Sequence, residues 1–296
     1  MRRFILGTDW WTDCDDAVAL RLLARAVKSG EAALDGIVIN ACMEYSAASV
    51  DGFLQKEGLE GIPLGLDREA TDFGRNPPYQ KRLSAYATRY LTNDETENAV
   101  CLYRRLLWNA DEPLELIEIG YLQALVALLE SEADDICPLD GRTLVSQRVS
   151  RVWVMAGKWD RDGERENNFC RNDRARNAAA VFCRVCPVSV TFLGWEVGHD
   201  VITGGKLSQG DHLYDVLCDH RSFNGRSSWD PMLVLLALVG DEEKAGYRAV
   251  RGRAEVDAET GSNFFTPSED GPHCYVIKTR DNRFYQDWID TLIASE

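Results

Sequence analysis

The sequence is poor in positive charge, in histidine and in long apolar runs. Lysine and arginine number 33 against 48 aspartates and glutamates, a net charge of −15 over 296 residues. That deficit argues against a broad electrostatic grip on nucleic acid or on an anionic membrane. It suits a small neutral ligand or a cation. The longest apolar run, Pro231 to Gly240, is too short to cross a bilayer. Two arginines near the start have no adequate apolar stretch behind them, so the opening does not read as a signal peptide. No P-loop and no Gly-x-Gly-x-x-Gly is present to cradle phosphates. No internal repeat or low-complexity linker divides the chain, so a single domain over 1–296 is expected. The nine cysteines are odd in number and scattered. They read as small buried hydrophobes in a reducing cytoplasm. Cys183 and Cys186 form the one close pair, either a metal or redox pair or two ordinary residues near a helix end.

What the sequence does have is alternation. Short β-type runs are expected at 4–6, 36–40, 62–65, 114–119, 152–155 and 188–193. Helical runs are expected at 15–27, 46–55, 97–108, 124–129 and 175–182. Such alternation predicts βαβ units, hence an α/β fold: an open αβα sandwich with a mostly parallel central sheet. The longest connection without clear structure runs over 67–93, read either as a lid or as a surface excursion. In open parallel sheets ligands bind beyond the carboxyl ends of the strands. Polar groups gather there: Asp9 to Asp16 after the first strand, Asn40 after the second, Gly120 to Gln123, and Glu166 to Asn168.

Four carboxylates fall between Asp9 and Asp16. Packed without a counter-charge they would repel and raise one another's pKa. A helix N-terminus at Asp15 or Asp16 relieves this in part, and a bound divalent cation relieves it much more. Oxygen ligands without a nearby histidine or cysteine pair favour calcium or magnesium over zinc. The spacing is not that of an EF-hand. Far along the chain, Asp230 in Trp229-Asp230-Pro231 is either a helix cap or the distant carboxylate that an incomplete metal shell needs.

The run Thr8-Asp9, then Thr12-Asp13-Cys14-Asp15-Asp16-Ala17, resembles the aspartate-rich signature of the nucleoside hydrolases, in a longer form of that turn. Four further segments are similar to family motifs and follow in family order: Gly120-Tyr121-Leu122-Gln123, Met155-Ala156-Gly157, Glu166-Asn167-Asn168 and Trp229-Asp230-Pro231. The resemblance implies one calcium ion (Ca2+) held by Asp9, Asp16, Asp230 and the backbone carbonyl of Gln123. It implies that Asp9 activates a water. Asp15, Glu166 and Asn168 would hold ribose hydroxyls, with Asn40 assisting. The reaction implied is hydrolysis of a nucleoside's N-glycosidic bond to ribose and free base, by a homodimer or homotetramer.

The sequence also departs from the family. Trp229 stands where many relatives have a histidine that acts on the leaving base. None of His199, His212, His220 and His273 lies in a motif that places it at the site. Tryptophans are plentiful in the site segments: Trp10, Trp11, Trp159, Trp195 and Trp229. Some relatives that favour purines stack the base between aromatic rings, making it easier to protonate; the resemblance implies that role for some of these tryptophans, and the others are expected in the core. A purine preference is therefore expected; equal or faster turnover of uridine than inosine would sink it. Gly7 replaces the family's first aspartate and Trp11 a glycine, which predicts a different turn. The arginines from Arg161 to Arg176 either meet a phosphate or form a salt-bridged surface with Asp162, Glu164, Glu166 and Asp173. Two other functions stay open: hydrolysis of another ribosyl N-glycoside, and non-catalytic binding of a ribosyl ligand with calcium retained.

Overall fold

Strand β1, Arg2–Thr8, is buried from Phe4 onward and lies at the middle of the sheet. The structure is a computed structural model that describes residues 1–11 and 13–294. The other strands are β2 Ala32–Ile39, β3 Leu64–Leu66, β4 Glu97–Asn98, β5 Leu114–Glu118, β6 Val149–Met155, β7 Glu164–Arg165, β8 Val190–Leu193, β9 Ile202–Thr203, β10 Arg226–Ser227, β11 Tyr247–Val256, β12 Ser262–Pro267 and β13 His273–Lys278. The main sheet runs β4-β3-β2-β1-β5-β6-β8-β13-β11-β12-β7. From β4 to β13 all neighbours are parallel. The edge formed by β11, β12 and β7 is antiparallel. The sequence pattern did not indicate β11, β12 or the final helix, Asn282–Ile293.

Side chains alternate across the pleat. Phe4, Leu6, Ile37, Ile39, Trp153 and Met155 face one hydrophobic layer. Ile5, Val38, Val152 and Val154 face the other. Helices cover both faces, which gives the αβα sandwich expected of a parallel sheet.

Two helices set the site. Asp15–Lys28 carries acids in its first turn and Arg25 and Lys28 in its last, matching the helix dipole. It packs against Trp229–Val239, which is apolar and buried from Pro231 to Ala237. An all-round apolar helix must be covered on every side, and the sheet and the Asp15–Lys28 helix cover it. Their packing brings two helix N-termini together beyond the carboxyl end of β1.

Two expectations change. The run 97–108 divides: Glu97–Asn98 joins the sheet edge, and the Asn98 side chain caps the helix Ala99–Asn109. The connection 67–93 contains the helix Pro78–Ser84, started by Pro78. It is pinned to the site: Tyr79 donates to the Asp13 carbonyl at 2.9 Å and Gln80 to the Trp10 carbonyl at 2.7 Å. No helix among the described residues is long and apolar enough to cross a membrane.

Candidate active site

The turn after β1 folds back on itself. Asp16 accepts hydrogen bonds from the Thr8 hydroxyl and the Trp10 N–H. Asp9 accepts from the Trp11 N–H at 2.8 Å. Trp10 adopts a positive φ of 50°, a conformation costing about 1–3 kcal/mol in a residue of this bulk. Packing holds it there. The Trp10 ring lies edge-on to Phe53 and Tyr79, and its Nε1 donates to Ser49 at 2.9 Å. The turn therefore places its left-handed residue at Trp10, directly before Trp11.

The turn floors a cavity of about 220 Å³. Asp9, Asp13, Asp15, Asp16 and Asp230 line it, so the strand end and both helix N-termini converge. The Asp230 N–H donates to Asp15 Oδ2 at 3.1 Å across 215 residues of sequence. Ligand oxygens of Asp13, Asp15 and Asp16 lie within 4.8 Å of one another. Burial, and then repulsion from neighbouring carboxylates, pushes Asp9, Asp15 and Asp230 well above the ordinary aspartate range. Burial pushes Asp16 up to about 7, with hydrogen bonds from Thr8 and Trp10 holding it back. Asp13 is the exception. Burial raises it, but hydrogen bonds involving Asp15 and the charge of Arg226 leave it below its usual value. A buried set of oxygen donors that repel one another is what a hard divalent cation satisfies.

Glu166 and Asn168 form one wall. Glu166 caps the short helix Asn167–Cys170 and accepts from the N–H groups of Asn168 and Gly157. Burial pushes its carboxyl up to about 7 despite those bonds. The Asn168 amide donates to the Met155 carbonyl at 2.9 Å. Gly157 has φ 81°, and a Cβ there would meet Trp159 at 2.6 Å, so this turn needs glycine twice over. Asn167, given no role of its own from the sequence, also lines the cavity.

Part of the lining is aromatic. Trp11, Trp195 and Trp229 line the cavity, and Trp229 Nε1 donates to the Trp195 carbonyl at 2.8 Å. Trp10 and Trp159 are packed in the core instead. No histidine lines the cavity among the described residues. His199 stacks on Trp195 with ring centroids 4.0 Å apart and is not itself a lining residue. Three of the arginines in 161–176 form ion pairs, Arg161 with Glu164, Arg174 with Asp72 and Arg176 with Asp173, while Arg171 lies 4.8 Å over the Trp11 ring and donates to the Phe73 carbonyl. Cys183 is buried in the last turn of the helix Asp173–Val185, and Cys186 follows as its cap.

Two residues named from the resemblance lie elsewhere. Asn40 is fully buried behind the cavity and does not line it. Its amide nitrogen donates to Glu118 at 2.8 Å, and its amide oxygen accepts from the Tyr121 N–H at 2.9 Å. Gln123 does not line the cavity either; its side chain donates to the Asn40 carbonyl. It begins the helix Gln123–Leu129, where a backbone carbonyl is directed along the helix toward the N–H four residues on. Ile119, at the end of β5, is the residue of that segment that lines the cavity.

Glu118 was not foreseen. It is paired with Gly7 in the β1–β5 register. A Cβ at Gly7 would stand 2.1 Å from its carboxylate. The Glu118 carboxyl thus occupies the space a side chain at position 7 would take. Burial pushes Glu118 up to about 8. Gly7→Ala is expected to cost about 1–3 kcal/mol in urea unfolding, because the added methyl overpacks a closed site. Glu118→Gln tests the charge. A carboxyl whose pKa is raised on folding loses stability as pH rises from its unfolded value through about 8. The amide has no such loss. Relative to wild type, the glutamine variant should gain on the order of 1 kcal/mol per pH unit between pH 5 and 8. A pH-independent difference would show that Glu118 is charged throughout.

The fold is that of the nucleoside hydrolases. A plant nucleoside hydrolase superposes with a TM-score of 0.74 at 15% identity, covering 100% of this chain and 99% of its own. An inosine-uridine preferring nucleoside hydrolase from Bacillus anthracis gives 0.67 at 16% identity, covering 99% of each chain. The type III effector protein XopQ, solved with adenosine diphosphate ribose, gives 0.68 at 13% identity over 99% of this chain and 93% of its own. No family model and no curated protein matches the sequence.

Proposed function

We propose that the chain is a calcium-dependent nucleoside hydrolase, cleaving the N-glycosidic bond of a ribonucleoside to ribose and free base, with a preference for purines. The observation that carries this reading is the convergence of five aspartates at two helix N-termini. They share the cavity with Glu166, Asn168 and three tryptophans.

Asp9, Asp16 and Asp230 would hold the ion, and the donor set suits calcium because every side-chain ligand is a hard oxygen. When bound, the ion supplies Lewis acidity and positive charge at the floor. Asp15, Glu166 and Asn168 hold the ribose hydroxyls and so fix the sugar against the floor. Asp9 takes a proton from the attacking water. The C1′–N bond breaks with its electron pair going to the base, while the water oxygen bonds to C1′. Carboxylates around the sugar stabilise the oxocarbenium-like transition state. Trp11, Trp195 and Trp229 offer ring faces to the departing base.

Incubation of calcium-loaded protein with inosine and with uridine tests this reading. Chromatography should show hypoxanthine and ribose in equal amounts, formed faster than uracil from uridine. Unchanged inosine after prolonged incubation would overturn it, and faster uridine turnover would remove the purine preference.

A further inference from the structure

Among the described residues that line the cavity, Arg226 is the one cation. Its sequence position gives no hint of this. It lies in the two-residue strand β10, 213 residues from the aspartate it meets. Nη2 donates to Asp13 Oδ2 at 3.1 Å, and the guanidinium sits 5.3 Å from the Trp229 ring centre. Nε is buried without a hydrogen-bond partner. A guanidinium carries five N–H donors in a fixed fork, so a group held by one aspartate has donors to spare. Its side chain is about one-third exposed (32%), so a ligand can reach it.

We infer that Arg226 reads the leaving base and selects 6-oxopurine nucleosides over 6-aminopurine ones. This rests on the nucleoside hydrolase reading, because it places the ribose over the carboxylates and so turns the base toward Arg226 and Trp229. A 6-oxopurine presents two adjacent acceptors, O6 and N7, which match an arginine fork bidentately. A 6-aminopurine presents N7 beside an amino donor, so one arm of the fork would face a donor. The same contact favours departure. As the C1′–N9 bond breaks, the electron pair stays with the purine and negative charge collects on its ring nitrogens and O6. Hydrogen bonds from Arg226 strengthen as that charge grows, so they stabilise the transition state more than the substrate. Arginine stays protonated and gives up no proton; the departing base takes its proton from solvent water. The cavity, which no histidine lines among the described residues, thus has a charge-stabilising group where an acid would otherwise act.

The test has two arms on calcium-loaded protein. In the first, kcat/KM is measured for inosine, guanosine and adenosine with wild type, Arg226→Gln and Arg226→Lys. Wild type should favour inosine and guanosine over adenosine by about tenfold or more. Both variants should lose that preference by slowing inosine and guanosine, with adenosine changed by no more than about threefold. Lysine keeps the charge beside Asp13 but not the fork, so it separates base reading from upkeep of the floor. In the second arm, tryptophan fluorescence follows binding of free hypoxanthine and adenine, which needs no hydrolysis. Hypoxanthine should bind about tenfold more tightly to wild type and lose that advantage in both variants. Hydrolysis without a 6-oxopurine preference, or an equal loss on all three nucleosides in both variants, overturns the role of Arg226. Arg226-dependent hypoxanthine binding without any hydrolysis keeps that role and removes the hydrolase reading. Failure of wild-type protein to distinguish the free bases also overturns it.

Discussion

Calcium-loaded Asp9→Asn protein is expected to release ribose from inosine about 10²–10⁴ times more slowly than wild type, the usual contribution of a positioned general base. Asp9 is buried at the strand end, its Oδ1 engaged by the Trp11 N–H. An asparagine oxygen can keep that hydrogen bond and still offer a neutral ligand atom, but it cannot take a proton at neutral pH. Loss in kcat with calcium still bound would assign Asp9 the proton transfer. Loss of calcium together with activity would assign it chiefly to the ion. Full activity would remove it from the chemistry. The comparison requires calcium content to be measured in both proteins.

Stripping the metal should have the largest effect on stability, and the effect should depend on pH. Asp9, Asp15 and Asp230 are raised well above the ordinary range and Asp16 to about 7. In the folded, metal-free protein these groups bind protons that the unfolded chain releases. Stability therefore falls as pH rises from about 4 through the folded values. A bound cation reverses the preference, since it holds the charged carboxylates. The stripped protein should lose Tm steadily between pH 5 and 8, whereas the calcium-loaded protein should not. At free calcium about a hundred times its Kd, the ion should add about 2.7 kcal/mol. At about 2–4 °C per kcal/mol for a chain of this size, that is a rise of several degrees. Equal Tm with and without calcium at pH 8 would mean that the acidic floor is stabilised some other way.

The aspartates from Asp9 to Asp16 were legible in the sequence because so many neighbouring carboxylates demand a counter-charge, whatever the fold. The sheet was legible for a similar reason: continuous apolar runs separated by amphipathic helices fit little else. Asp230 by itself read either as a helix start or as a distant metal carboxylate, and the family resemblance pointed to the second. Its arrival beside Asp15 depends on two helices packing, which sequence order does not state. Asn40 and Gln123 do not line the cavity, and the sequence did not show this, for a related reason. Motif order puts their segments at the correct strand ends, but it does not say which way a side chain turns. The Asn40 amide turns to Glu118 and the Tyr121 N–H, and the Gln123 side chain donates to the Asn40 backbone carbonyl. Glu118 itself became visible only through its register with Gly7, and Arg226 only through its ion pair with Asp13. The strand β11 hides its inward residues among exposed charges: Arg248, Arg251, Arg253 and Glu255 alternate with small or apolar neighbours. The alternation is present, but glycine and alanine on the inner side make it weak.

The measurement that bears most directly on the account is a calcium titration of stripped protein, with bound calcium and ribose release from inosine followed in the same samples. The account predicts that release is absent at the start and rises in step with calcium, reaching its plateau at one ion per chain. Release that is unaffected by stripping would contradict it. So would a site filled with calcium that leaves inosine intact.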